Sequence, residues 1–387
     1  MKKYTYIIAI LPFTLLACNQ APEKEPESKV VQENTGLRIS KEKYGSTDEG
    51  AVELYTLSNK DGMMMKVSTF GGTLTELHVP DRDGNLEDVT LGFDSLSAYQ
   101  KKHPNFGSLI GRYGNRIAKG KFSIDGQTYT LALNNGENAL HGGIRGFNKR
   151  IWAAQPIEAD HQVGLELRYT SPDMEEGYPG NLSVVVRYLL NNANEWIIEY
   201  EATTDKKTPI NLTQHAYFNF KGAGNGDILD HELMINANRY TPVDATLIPT
   251  GELANVENTP FDFRMPTAIG KRIEEENQQL ENGGGYDHNW VLNRDSKGLE
   301  LAATLYEAES GRFMEVLTTE PGVQFYCGNF LDGSNIGKGN KAYAHRTGLC
   351  LETQHFPNSP NQDNFPSTIL SPEEKYESKT IYRFSVR

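Results

Sequence analysis

The stretch Asn211-Leu212-Thr213-Gln214-His215-Ala216-Tyr217-Phe218-Asn219-Phe220 alternates polar with apolar residues and reads as a β-strand. On a strand, Thr213, His215, Tyr217 and Asn219 share one face. Each unpaired group in a buried polar row costs about 1–3 kcal/mol, so such a face makes sense against a polar ligand. A single histidine in a strand is more often structural than chemical; His215 gains meaning from its company. Gly111-Arg112-Tyr113-Gly114-Asn115-Arg116-Ile117 sets two guanidiniums beside a flexible backbone, and either can fork onto hydroxyl or carboxylate oxygens. Leu140-His141-Gly142-Gly143 places an imidazole at a turn. Gly283-Gly284-Gly285 runs into Tyr286-Asp287-His288-Asn289-Trp290, and glycines ahead of such a cluster let backbone approach a ligand closely. Gly322-Val323-Gln324-Phe325-Tyr326 carries an amide between aromatics. In Leu349-Cys350-Leu351-Glu352-Thr353-Gln354-His355-Phe356, the leucines face one way and Cys350, Glu352 and Gln354 the other. A charged Glu in that position needs partners or a ligand.

Arg, His, Asp, Gln, Glu and aromatics in this mixture suit a polyhydroxylated ligand and proton transfer. On composition alone, a His/Asp metal site is the rival. No Ser or Cys motif reads as a nucleophile, and no Cys spacing matches a zinc finger.

The elements that must position these residues are mostly strands. Val52–Leu57, Met63–Leu77, Leu165–Thr170, Leu182–Leu190, Trp196–Ala202, Ile210–Phe220 and Glu232–Ala237 alternate or are rich in strand-forming residues. So do Leu299–Glu307, Phe313–Thr318, Val323–Tyr326, Gly348–His355 and Thr380–Val386. Phe122–Leu133 contains Asp125-Gly126, a hairpin turn signal. Only Ser95–Lys102 and Thr267–Leu280, the latter with Thr267 able to cap it, read as short helices. Many antiparallel strands and no βαβ alternation predict a mainly β fold, a large sandwich or barrel, in one domain from residue 37 to 387.

The 387 residues, 37% hydrophobic and 10% aromatic, suffice for a large core. A net charge of −13 argues against nucleic acid, which wants a basic surface. The acidic balance leaves calcium open as an accessory ion, although no ligand loop for it is visible. At the start of the chain, Lys2 and Lys3 precede an apolar run, Ile7 to Ala17, too short to span a bilayer as a mature helix. It ends Leu15-Leu16-Ala17-Cys18, which resembles the bacterial lipoprotein signal. The expectation is a signal peptide at 1–17, lipidation of Cys18, and a disordered, charged, Pro-containing tether over 18–36. The protein would then be extracytoplasmic and lipid-anchored to a bacterial membrane. Cys327 and Cys350 lie in apolar strand-like runs, either bridged or buried as free thiols.

Taken together, the stretches Gly111–Ile117, Leu140–Gly143, Asn211–Phe220, Arg239–Gly251, Asn258–Arg264, Gly285–Leu292, Pro321–Phe330 and Leu349–Asn361 resemble the aldose 1-epimerase (galactose mutarotase) family, in family order. The resemblance covers the chain from about Val52 to its end. It implies a large antiparallel β-sandwich with a sugar cleft, and interconversion of the α and β anomers of free aldoses such as galactose and glucose. It implies no required cofactor, a small-molecule sugar as substrate, and a monomer. His215 resembles the family's general acid and Glu352 its general base. Asn115, Arg116, His141, Tyr217, Asp287 and Gln324 resemble its sugar-contacting positions; Arg112 does not carry over. Cys327 stands where a small polar residue is expected, and residues 1–36 are an addition to cytosolic members.

On this reading Glu352 acts ionised and His215 protonated, with a nearby carboxylate, Asp287, holding the imidazole near working pH. Three other readings share the same residues. A glycoside hydrolase would use Asp287 and Glu352 as paired carboxylates. A non-catalytic sugar-binding surface lipoprotein would keep the cleft without the chemistry. An epimerase of phosphorylated hexoses fits an extracytoplasmic address poorly.

The anchor gives the first prediction. Several acyl chains on one Cys hold a protein stably at a membrane, whereas one chain binds only marginally. Cys18→Ser is expected to move the protein from the membrane pellet to the soluble fraction. An unchanged distribution on ultracentrifugation refutes lipidation at Cys18.

Overall fold

A computed structural model of the chain describes residues 1–5 and 36–387. The chain divides into two units, Met1–Asn34 and Thr35–Arg387. The expected signal segment from residue 6, the Cys18 anchor and the tether as far as residue 35 lie outside the described residues. Among the described residues no helix is long and apolar enough to cross a membrane.

The larger unit is an antiparallel β-sandwich built on three main sheets. The widest orders its strands Ala153–Ala159, Gln162–Ser171, Leu182–Asn191, Glu195–Thr204, Tyr376–Val386, Arg312–Thr318, Glu300–Tyr306, Glu232–Ile235 and Thr267–Ala268. Its alternation explains the layer. Leu190 opposes Trp196, Tyr188 opposes Ile198 and Val186 opposes Tyr200, all buried. On the other face Arg187 reaches Glu166 and Glu201, and Lys379 reaches Glu199. A slip of one residue would exchange these faces, so the register is set by burial.

The N-terminal sheet is a meander, Arg38–Thr47, Gly50–Ser58, Met64–Ser68, Thr73–Pro80 and Leu86–Asp88. The run read as one strand, Met63–Leu77, is folded in two at Gly71-Gly72, whose φ angles of 71° and 52° a side chain would resist. Asp125-Gly126 forms the expected hairpin turn, with φ of 50° and 82°, between Lys121–Ile124 and Gln127–Thr130.

The third sheet runs Ala254–Asn255, Ala237–Thr241, Asp287–Leu292, Gly322–Tyr326 and Cys350–Gln354. Its last three strands are buried at every residue. One face gives Trp290, Leu292, Val323, Phe325 and Leu351 to the main core, shared with the other two sheets. The opposite face carries the polar residues of the site.

Two expected elements differ. Ile210–Phe220 is not a continuous strand: only Thr213–Gln214 pairs, with Leu109–Ile110, and isolated bridges tie Asn211 to Tyr113 and Phe218 to Thr90 and Leu349. The segment threads between other elements, and its backbone groups are divided among several partners. The expected helix Thr267–Leu280 breaks into the edge strand Thr267–Ala268, a 3₁₀ turn at Ile269–Lys271 and a short helix, Gln278–Gly283. Its cap is Asn277, whose side chain accepts from Gln279 N at 2.9 Å; Thr267 instead donates to the Met265 carbonyl. The first helix keeps one turn, Leu96–Tyr99, buried through those two residues.

Candidate active site

The polar face of the third sheet sets its residues by register. Asn289 opposes Gln324, which opposes Glu352, while Asp287 opposes Tyr326, which opposes Cys350. Alternation thus lines up an acid, two amides, a second acid and a thiol above three neighbouring strands. Beside them, His215 N donates to Ser108 O and His215 O accepts from Gly107 N, which fixes the His215 backbone outside any long strand. Across the cleft, the two-residue ladder Arg116–Ile117 with Ala139–Leu140 holds the remaining members. Asn115 and His141 both adopt left-handed backbone, φ 66° and 51°, and brace each other. Asn115 N donates to His141 Nδ1 at 3.2 Å, and His141 N donates to Asn115 O at 3.1 Å.

These segments enclose a cleft of about 170 Å³ lined by Asn115, Arg116, His141, His215, Tyr217, Asp287 and Glu352, all expected from the sequence. That volume is below the ~300–1,000 Å³ of pockets for drug-sized ligands and suits one small polar molecule. Gln324 lies behind the lining: its amide donates to Asp287 Oδ1 at 2.7 Å. Arg116 is pinned at both ends, Nε to Asn135 Oδ1 at 3.0 Å and a terminal nitrogen to Asp287 Oδ2 at 3.5 Å. Both Asp287 oxygens are therefore engaged, which makes it a holder of Arg116 more than a free acid or base.

Of the row expected around His215, Tyr217 stays with it, the rings stacked at 5.1 Å. Asn219 turns away to the carbonyls of Gly226 and Thr347. Arg112 is structural: buried, it donates to Ser171, Pro172 and Pro179. His288 is packed against Phe261 at 4.7 Å, on the core face. The sequence reading missed Asn135, the partner of Arg116, and the rim residues Pro104, Asn105, Leu140 and Phe330. The signal for Asn135 was present as the turn Asn134-Asn135-Gly136; nothing local marked the rim.

His215 Nε2 lies 3.8 Å from Glu352 Oε1, and both side chains are nearly out of water. Burial pushes His215 down to about 4, with the charge of His103 acting in the same direction. Burial also raises Glu352 well above the usual carboxylate range; Asp287 adds to the rise and Arg116 opposes it. His141, half-buried at the edge, is held well below its ordinary value by desolvation, then by His215 and Arg116. The expected help from Asp287 is corrected here: His215 is depressed, and Asp287 acts on Glu352 instead. In the free protein burial thus favours the neutral form of both groups. Glu352 Oε2 has no hydrogen-bond partner among the described residues.

Two clusters carry metal-type donors among the described residues, His141–His215–Glu352 and Glu76–His78–Asp88. In the first, His141 Nδ1 accepts a backbone N–H, so a neutral ring presents Nε2–H, a donor and not a ligand. In the second, Lys66 and Lys338 already pair with the carboxylates of Glu76 and Asp88. Neither offers the six to eight oxygens that calcium takes.

A buried acid–base pair in a small polar cleft on an antiparallel β-sandwich suits proton transfer on a small polyhydroxylated molecule. The comparisons agree. The family model for aldose 1-epimerase matches residues 53–383. The chain is 46% identical over 352 residues to a galactose mutarotase of Sus scrofa, covering 90% of this chain and 99% of that protein. It is 40% identical over 333 residues to an aldose 1-epimerase of Escherichia coli (strain K12), covering 86% and 94%. The crystal structure of a galactose 1-epimerase from Lactobacillus acidophilus NCFM superposes with a TM-score of 0.80 at 29% identity, covering 90% of this chain and 99% of that one. The chain belongs to the aldose 1-epimerase family and is an isomerase.

The electrostatics give a prediction for the free protein. On titration of the ¹⁵N-histidine-labelled chain by NMR, the His215 ring is expected to stay neutral until the pH falls to about 4. Its folded value lies below the unfolded one of about 6.5, so its burial destabilises the fold progressively as pH drops between them. A midpoint near 6.5 would contradict the desolvation argument.

Proposed function

We propose that this protein interconverts the α and β anomers of free aldohexoses such as galactose and glucose, with Glu352 as general base and His215 as general acid. The observation that carries the reading is the 3.8 Å approach of these two groups inside a monosaccharide-sized cleft. The anomeric hydroxyl and the ring oxygen are bonded to the same carbon, so their acid and base must stand close together.

Glu352 takes the anomeric O–H proton while His215 gives one to the ring oxygen, and the C1–ring oxygen bond breaks. The open aldehyde rotates about C1–C2. Reclosure with the roles exchanged yields the other anomer and restores both groups. Each positioned proton transfer contributes ~10²–10⁴-fold. The acting state, Glu352 carboxylate with His215 imidazolium, has the same proton count as the neutral pair of the free protein. A sugar hydroxyl donating to the Glu352 carboxyl stabilises its ionised form, and His215 takes up a proton at Nδ1 to become the imidazolium. No electrons or groups leave, so the step calls for no redox or group-carrying cofactor. Asn115, Arg116, His141 and Asp287 orient hydroxyls, Tyr217 supports the His215 ring, and Gln324 acts through Asp287. The engagement of both Asp287 oxygens disfavours a two-carboxylate glycosidase. The ending Leu15-Leu16-Ala17-Cys18 supports an activity outside the cytoplasm, on sugars without phosphate.

Polarimetry on fresh α-galactose and α-glucose tests this reading. Glu352→Gln keeps shape and hydrogen bonding but removes the base. It is expected to lower kcat by roughly 10²–10⁴ with the fold intact by thermal melt. A folded variant retaining more than about a tenth of wild-type kcat rules out Glu352 as base. A wild-type protein that binds sugar but leaves mutarotation at the spontaneous rate would be a binding protein.

Arg116→Lys keeps charge but cannot reach Asn135 and Asp287 together as a planar fork does. It is expected to raise KM more than it lowers kcat. A normal KM with a collapsed kcat would move Arg116 into the chemical step.

A further inference from the structure

The two histidines of the cleft have different partners behind them. His141 Nδ1 accepts from a backbone N–H, a group that can only donate. His215 Nδ1 lies 3.4 Å from the Sγ of Cys350, which is fully buried. Cys350 sits two residues before Glu352 on the same face of the same strand, so its side chain is aimed by the register that aims the base. Tyr217 stacks on the His215 ring at 5.1 Å and His141 meets it edge-on at 5.0 Å, which leaves the ring little freedom to turn.

We propose that Cys350 is a positioning residue for His215, its S–H donating to Nδ1 so that the ring proton sits on Nε2, facing Glu352. This rests on His215 being the acid. Burial lifts the thiol well above its ordinary value, and Glu352 and Asp287 add to the rise, so sulfur keeps its proton. Which ring nitrogen carries a proton is set by the hydrogen bond at the other. A carbonyl or carboxylate at this place would only accept; it would hold the proton on Nδ1 and leave Nε2 bare. A backbone N–H would only donate and would oppose the imidazolium. A thiol donates weakly and accepts weakly. When His215 becomes the imidazolium, Nδ1–H turns to donate and sulfur accepts, with no atom displaced. Cys350 thus suits a ring that gains and loses a proton in each turnover, and the donor-only partner suits His141, which stays neutral and orients hydroxyls.

The test is ¹⁵N NMR of the histidine-labelled full chain near neutral pH, with the His215 signal assigned by its loss in His215→Asn. The wild type is expected to show the Nε2–H tautomer. Cys350→Ala is expected to shift it toward Nδ1–H and to lower kcat roughly 10-fold with KM within about twofold. Cys350→Ser, which donates and accepts at the same place, is expected to restore the tautomer and most of the lost kcat. An Nδ1–H tautomer in the wild type overturns the inference, as does a folded Cys350→Ala with unchanged tautomer or unchanged kcat. If Cys350→Ala does not fold, the wild-type and Cys350→Ser spectra decide. A fully active His215→Asn would remove the acid reading instead, a result separate from the tautomer.

Discussion

Desolvation of one imidazole and one carboxyl, 3.8 Å apart, governs the rest of this molecule. In water the pair would be an ordinary ion pair with a small net interaction. Inside the cleft, burial disfavours the charged form of each. That makes transfer between substrate oxygens and protein an exchange with little change of net charge. Such a pair needs walls that exclude water while leaving a face for the sugar. Three adjacent strands supply them, buried on both sides: apolar residues meet the core and polar residues meet the cleft.

The opposite wall depends on a different device. Asn115 and His141 lie on turns and Arg116 on a two-residue ladder, where side chains are less rigid than on long strands. Their precision comes from reciprocal bonds: Asn115 with His141 through backbone and ring, Arg116 with Asn135 and Asp287. Asp287 belongs to the strand wall, so its contact with Arg116 joins the two halves. Gln324 fixes Asp287 in turn. The guanidinium is thus a tie across the cleft, and an ammonium could not serve both ends.

The strands were legible because alternation has a period of two that burial enforces, as in Leu182–Leu190 against Trp196–Ala202. The polar side of Cys350–Gln354 was legible for the same reason, and with it the aim of Glu352. Ile210–Phe220 misled because alternation reports which side chains face the protein, not which backbone groups pair. Thr267–Leu280 misled because apolar spacing and a capping threonine cannot weigh an edge strand's gain from pairing with Glu232–Leu233. The residue types at the site pointed to acid–base work, but not which nitrogen or oxygen faces which. Protonation was misjudged outright: a carboxylate within reach suggested a raised histidine, whereas burial outweighs it, and that depth of burial has no local signature.

The unpaired Glu352 Oε2 gives these shifts a purpose. A buried carboxyl is costly to ionise alone, and a ligand hydroxyl donating to it would lower that cost. On the proposed mechanism the same hydroxyl loses its proton. Binding would then do part of the work of ionisation: that bond stabilises the carboxylate, and His215 takes up a proton at Nδ1, the nitrogen that faces Cys350. Had Asp287 been placed to charge His215 in the free protein, the imidazolium would have been stabilised before substrate arrived and made a weaker acid. Committing Asp287 to Arg116 and Gln324 avoids that. The cleft keeps its charge separation for the moment when a sugar is present to use it, which is how interactions strengthened in the transition state accelerate a reaction.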